Sequence, residues 1–488
     1  MRLGLPAHMG RQALPAHMAR QALPVRRALL VPPELQLPPR RPAVPLLPAV
    51  QRPDSQIDET QSAAARRFCV FPPVRQQENQ AGAVNRFGMT PKRRVLLLIW
   101  LMMAVAYLDR TNITVAGPTM MAALHLSKTQ FGFVLAAFTF GYALMQIPGG
   151  RLADRIGSRP LLVTALVVWS VFTALTGLAT SLGSLLLVRV LFGVGEGIEN
   201  GAQFKLIGDY FSARERSSAA AFFLTALPLG SAAAVPLAAW LLGRVGWHEL
   251  FFWFSVPGLL VAALLFFLLP KQARQVVPTD VRGDAGQKLG WGDALRRPSS
   301  WLAFAAYLFF NVAFWGFVGW MPTYLSQSRH IELKALGPIF SIPYLFGFVG
   351  MVLIGKLGAG AFFHRRAALI AASYLLAAVF LCITFTATTV PRCVLGLSLA
   401  AFFLYGGFGP FWALALDLTP DGMRGAFTGF VNFGGQIGGF LAPIVVGALV
   451  THTKSFTGGF LFMTAALVFS AASLLRLQQT ENLGGPSR

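Results

Sequence analysis

The sequence predicts an all-α membrane protein with twelve transmembrane helices in two pseudo-symmetric six-helix bundles. Its 488 residues are 55% hydrophobic and only 12% charged, with 42 Phe and 49 Gly, whereas soluble domains carry about 25% charged residues. Apolar runs of the roughly 20 residues needed to cross a bilayer recur from Met89 onward. A third observation is an echo between the two halves. Asp209-x6-Arg216 returns as Asp417-x6-Arg424, an offset of 208, Pro236 as Pro443, an offset of 207, and Gly150 as Gly355, an offset of 205. Three agreeing offsets indicate an internal duplication, the plan of many secondary transporters.

Taken in order, the apolar spans fall at about 95–117, 131–149, 160–180, 184–206, 217–242 and 251–269. A second set follows at about 300–321, 336–357, 367–389, 393–416, 425–450 and 456–475. The expected organisation is therefore a first bundle at 89–270, a cytoplasmic linker at 271–299, a second bundle at 300–476 and a cytoplasmic tail at 477–488. Residues 1–88 stand apart. They contain 12 Arg and no Lys, many Pro and Gln, and a tandem repeat, "LPAHMGRQA" then "LPAHMARQA". With no apolar core they do not read as a secretory signal. They read as a disordered segment or as translated sequence upstream of a start at Met89.

The formal net charge is +22, which in a soluble chain suggests nucleic acid. Here the basic residues lie in short loops between spans and set topology instead, so no nucleic-acid partner is expected. If Met89 is cytoplasmic, cytoplasmic segments hold 21 Lys and Arg and the opposite side holds 6. Positive charge accumulates on the cytoplasmic side, so both termini are expected there. The cysteines Cys69, Cys382 and Cys393 have no metal or redox spacing. No nucleophile–base set or phosphate loop appears, so neither an enzyme, a metal nor a cofactor is expected.

"GGRLADRIGSRPLL", Gly149–Leu162, resembles the signature of the major facilitator superfamily in the loop after the second helix. Gly150, Leu152, Asp154, Arg155, Gly157 and Arg159 match it. The resemblance implies a gating motif in which the glycine permits close helix approach, the aspartate caps and pairs, and the arginines anchor the cytoplasmic gate. In the second half Ala359 replaces the aspartate, so that loop must be held differently, with His364, Arg365 and Arg366 as candidates.

Charges inside the spans are the functional candidates, since each costs about 3 kcal/mol or more in lipid. Asp109 and Arg110 lie in span 1, and Arg189 and Glu196 in span 4, with Glu199 one turn further. Arg189 and Glu196 are seven apart and share a helix face. Asp109 and Arg110 diverge by about 100° and need different partners. The simplest arrangement points one of them to a cavity and the other to span 4, giving a charge-balanced set.

"YLDRTNI", "FTFGYALMQIPGG", "RVLFGVGEG", "WGFVGWMPTYL" and "DLTPDGMRGAFTGFVNFGGQIGGFLAPIVVG" together resemble the anion:cation symporter family, over essentially all of 89–475. That family contains bacterial sugar-acid and hexuronate permeases and sialic-acid transporters. The resemblance implies that Arg110 holds a substrate carboxylate, with Tyr142 hydrogen-bonding it and Asn432 contributing from the second half. It implies that Glu196, coupled to Arg189, is the protonatable acid, with Asp109 a second proton site. Two positions depart from the pattern: Leu227 replaces a hydroxyl-binding glutamine and Gln436 an asparagine. That weakens the case for a heavily hydroxylated sugar acid and admits a smaller or more aromatic carboxylate. Tyr307, Asn311 and Trp315 share one face of span 7 and either line the cavity or form an aromatic packing stripe. Arg110 is either an anion clamp or a structural partner of Asp109 or Glu196.

The expected function is proton-coupled uptake of an organic anion by alternating access, as a monomer in the bacterial inner membrane. Its expected partners are the anion, protons and the lipid bilayer. The alternatives are transport of a tartrate-like or aromatic acid, organophosphate exchange, and a ligand sensor without flux. Span 7 has no arginine, which argues against the exchanger.

Overall fold

In the computed structural model, residues 89–270, 296–419 and 424–483 are described, and all of them fall in the unit Pro73–Arg488. The extension 1–88, the linker at 271–295 and the end of the tail at 484–488 lie outside the described residues. Every regular element among the described residues is a helix.

In the first half these are α1 (Pro91–Ala123), α2 (Lys128–Ile156), α3 (Ser158–Thr176), α4 (Leu182–Gly197), α5 (Glu199–Tyr210), α6 (Ala213–Leu224) and α7 (Ala226–Leu268). The second half holds α8 (Pro298–Ser328), α9 (Leu333–Ala359), α10 (Arg366–Thr386), α11 (Val390–Gly406), α12 (Phe408–Asp417), α13 (Arg424–Thr453) and α14 (Thr457–Leu483). Local chemistry sets the starts. Pro sits in the first turn of α1, α8 and α11, and reciprocal side-chain caps pair Ser127 with Gln130 on α2 and Ser181 with Ser184 on α4.

Among the described residues nine segments are long and apolar enough to cross a bilayer. One of them, Ser218–Leu268, is 51 residues long and makes two crossings. The loop expected between spans 5 and 6 is instead a tight break at Gly246, whose φ of 80° is accessible chiefly to glycine. The charged helix α2 and the broken pair α4–α5 supply spans 2 and 4, and the twelve crossings are complete. Spans 4 and 10 are each split, at Ile198 and at Gly407.

The halves pack alike. In the first, α1 lies on α7, α2 on α4, and α3 on α7; in the second, α8 lies on α13, α9 on α11, and α10 on α14. Two broad contacts join the halves, α2 with α13 and α7 with α9, and a smaller one joins α1 with α8. Near the start of α2, Thr129 Oγ1 donates to Thr451 Oγ1 at 3.0 Å. A Cβ on Gly447 would stand 2.4 Å from the Lys128 carbonyl oxygen, so the backbones touch there. At the other seam Ser341 Oγ donates to the Ala232 carbonyl at 2.8 Å. The face opposite the amino terminus of α1 is thus sealed at both seams.

A buried charge network as the candidate substrate site

The site begins with how α4 meets α2. A Cβ on Gly193 would lie 2.2 Å from the Phe138 carbonyl oxygen, and one on Gly197 2.5 Å from that of Tyr142. Only glycines allow this backbone contact, a small-residue packing suited to helices in lipid. It brings Phe138 and Tyr142 of α2 against Arg189 and Glu196 of α4.

Opposite them α1 presents Asp109 and Arg110, both buried. Arg110 Nε donates to Glu196 Oε1 at 2.6 Å, and the Arg110 Nη2 group pairs with the same oxygen. Rings crowd the guanidinium, with Tyr107 at 4.6 Å, Tyr142 at 5.0 Å, Phe138 at 5.1 Å and Trp315 at 5.8 Å from its carbon to the ring centre. Such contacts attract a cation, about 2 kcal/mol or more when desolvated.

The pairing differs from the sequence expectation, in which Glu196 is coupled to Arg189. Seven residues are about 10.5 Å of helix rise, and α1 offers Glu196 a closer arginine. Arg189, also buried, lies on Phe192 at 4.4 Å and Phe138 at 5.4 Å, and its Nε has no hydrogen-bond partner. Among the described residues no carboxylate forms an ion pair with it. Asp109 takes only a long 3.5 Å contact from Asn112 Nδ2, and its Oδ2 has no partner. Glu199 accepts from Gln203 Nε2 at 3.0 Å and leaves Oε1 unpaired. Three buried acids and two buried guanidiniums therefore occupy the heart of the first half.

A small cavity adjoins them. Arg110, Thr114, Leu135, Phe138, Thr139 and Arg189 line it from the first half, and Trp315, Val318, Gly319 and Pro443 from the second. Of the span-7 stripe, Trp315 reaches this lining, whereas Tyr307 and Asn311 do not. Tyr307 stacks on Phe411 at 4.8 Å, and Asn311 Nδ2 donates to the Tyr307 carbonyl at 2.8 Å. Asn432 donates its amide to Gln146 of α2 across the seam between halves. Sequence reasoning passed over Phe138 and Gln146. The signal for Phe138 was its place four residues before Tyr142, on the same face of α2.

In the gating motif, Gly157 breaks the chain between α2 and α3 with a φ of 87°, and Arg155 is exposed at the end of α2. Arg159 bonds the Phe266 carbonyl at the end of α7 and lies 5.4 Å from that ring. The surroundings of Gly150 and the Asp154 side chain lie outside the described residues. In the second half Arg366 holds the equivalent corner, donating to the Gly358 carbonyl at 2.9 Å and pairing with Asp417. His364 and Arg365 are exposed.

A twelve-span, two-halved α-bundle enclosing a charged cavity defines a membrane transport protein rather than an enzyme. Residues 99–443 match the Major Facilitator Superfamily model, and the chain belongs to that superfamily. It is 28% identical over 398 residues to a hexuronate transporter of Bacillus subtilis, covering 79% of this chain and 94% of the relative. It is 31% identical over 424 residues to a probable galactarate/D-glucarate transporter of Escherichia coli, covering 80% of this chain and 93% of the relative. Its fold resembles a bacterial homolog of the human lysosomal transporter Spinster, in an inward-facing unoccupied form. That match has a TM-score of 0.69 at 20% identity, over 81% of this chain and 99% of the other.

Proposed function

We propose that this protein is a secondary active transporter that carries an organic anion with protons. The observation that supports this most is the buried ion pair between Arg110 and Glu196 beside a cavity lined by both halves. Without substrate, Glu196 is the counter-ion of Arg110. A proton on Glu196 removes that charge and frees the guanidinium for a substrate carboxylate, which it can grip through two parallel hydrogen bonds. Proton and anion thus favour the same loaded state, and a ligand shifts a two-state equilibrium only through such differential affinity. Asp109, with one oxygen unpaired, is the second candidate proton site. Tyr142, packed on Arg110, orients the bound carboxylate.

The relatives named for hexuronate and for galactarate/D-glucarate support a carboxylic acid as cargo. With the termini cytoplasmic and the protein in the bacterial inner membrane, the sealed face is the outer one. The conformer is then closed to the outside, with Asn432–Gln146 joining the halves nearer the cytoplasm. Residues 89–270 and 300–476 move as the two bodies, and the motif from Gly150 through Asp154, Arg155 and Gly157 to Arg159 governs the cytoplasmic gate.

The test is transport in liposomes. Glu196→Gln is expected to lose acid-driven accumulation of the cargo while retaining exchange of labelled for unlabelled anion. Full acid-driven accumulation in that variant would remove Glu196 from the coupling step.

A further inference from the structure

The anion site holds two guanidiniums, not one, and its remaining walls are poor in polar groups. Arg110 and Arg189 both line the same cavity, and both lie against the single ring of Phe138, at 5.1 Å and 5.4 Å. Their guanidinium carbons are therefore no farther apart than the sum of those distances. Arg110 already has a carboxylate partner, whereas Arg189 is buried with an unpartnered Nε and no ion pair among the described residues. Asp109 and Glu196 act on Arg189 only from beyond ion-pair distance, so its guanidinium keeps hydrogen-bonding capacity for an acidic group in the cavity.

The rest of the lining offers little to a polyol. Leu135, Phe138, Val318 and Pro443 are apolar, and besides the two arginines the polar side-chain groups are the Thr139 hydroxyl, the Trp315 indole N–H and Thr114 Oγ1, which already donates to the Thr111 carbonyl at 2.8 Å. The side-chain amides of Asn311 and Asn432 are engaged elsewhere, with the Tyr307 carbonyl and with Gln146. Leu227, which stands where a hydroxyl-binding glutamine is common, is buried. A polyhydroxy acid would bury more hydroxyls than these few groups can pair, at about 1–3 kcal/mol for each one left over.

We infer that the cargo is a compact dianion, two acidic groups on a short carbon chain, with one group held by Arg110 and the other by Arg189. This rests on the transport reading of the same site and narrows its substrate class. A guanidinium–carboxylate contact with hydrogen bonds of ~2.8 Å spans about 4 Å between carbon centres. Two such contacts use most of the allowed separation and leave room for only about one or two bridging carbons.

The experiment is a binding series on the purified full chain, read by thermal shift and calorimetry. The probes are acetate, malonate, succinate, sulfoacetate, adipate, glucarate and gluconate. Malonate, succinate and sulfoacetate are expected to bind at least about tenfold tighter than the monoanions and the longer diacids. Arg189→Gln is expected to abolish the preference for the short dianions over acetate. If that variant does not fold, the length series on the unmodified chain still decides, because two fixed arginines impose an optimum length. Gluconate or glucarate binding as tightly as malonate, or Arg189→Gln keeping the dianion preference, overturns the inference. Arg110→Gln separates the two readings. Loss of all anion binding leaves the transport site standing whichever anion wins, whereas unchanged binding of every anion removes both.

Discussion

In the first half the helix crossings bury Asp109, Arg110, Arg189, Glu196 and Glu199. Among the described residues the second half has nothing comparable at the matching depth. Shifted by the 207-residue offset of the paired prolines, Gly316 and Phe317 stand where Asp109 and Arg110 would be. Its interior is filled by rings instead. Phe310 stacks on Tyr374 at 4.8 Å and meets Phe408 edge-on at 5.3 Å, while Phe314 meets Tyr405 at 5.1 Å. Duplication preserved the packing plan and let the chemistry settle on one side. Under the proposed function, the first half binds and couples while the second is a rigid wall whose movement changes access.

The largest effect that would break this comparison comes from removing one charge. Arg110→Ala leaves Glu196 buried without its partner, which is expected to cost about 3–5 kcal/mol and to abolish anion binding. Melting in detergent and calorimetry measure the two losses. Adding Glu196→Gln should restore much of the stability and none of the binding. A double variant that binds normally would place the anion elsewhere.

The complementary change is Phe310→Ala in the second half. Loss of a fully buried ring is expected to cost a similar ~3–5 kcal/mol, yet leave anion affinity per folded molecule unchanged. A selective loss of binding with normal melting would mean that the second half takes part in recognition.

A smaller effect sharpens the role of the helix contact. Gly193→Ala adds a methyl 2.2 Å from the Phe138 carbonyl oxygen and must push α2 from α4. About 1–3 kcal/mol of destabilisation is expected, with weaker anion binding because Phe138 moves with its backbone. Normal binding in a destabilised protein would show that the site tolerates the shift.

The smallest effect lies at the membrane edge, outside both interiors. Lys92 Nζ pairs with Glu215 at 2.8 Å, and both are exposed. The Lys92 bond, with help from Ser212, holds the Glu215 carboxyl down to about 2 from its usual 4.5. A depressed folded value contributes stability above the unfolded value and loses it as the pH falls through the folded one. Lys92→Ala should therefore lower the melting temperature slightly at neutral pH, as exposed pairs contribute little. The difference from the parent should vanish between about pH 4.5 and 2. A constant difference down to pH 2 would assign the effect to something other than charge.

Much of the molecule was legible in its residues, for separable reasons. Apolar run length revealed the spans, because lipid demands a fixed number of apolar residues per crossing. Duplication showed in recurrent prolines and acid–arginine pairs. The break at Gly246 was not legible, since glycines are common throughout and, of the glycines among the described residues, only Gly157 and Gly246 adopt a positive φ. Trp315, Tyr307 and Asn311 shared a helix face on paper. Yet the first lines the cavity, while the others pack against Phe411 and each other. Spacing fixes a face but not what lies opposite it.

The sequence by itself determined that a few charges sit where lipid would exclude them, and that they must be buried together. That follows from the cost of an unpaired charge in an apolar span, which any reading of the chain reveals. Only the tertiary structure decided that Glu196 pairs with Arg110, that Arg189 is left without an ion pair among the described residues, and that Phe138 lies against both guanidiniums. Those outcomes depend on how closely α1, α2 and α4 approach through their glycines. Distances between helices far apart in the chain are set by packing, not by spacing within any one of them.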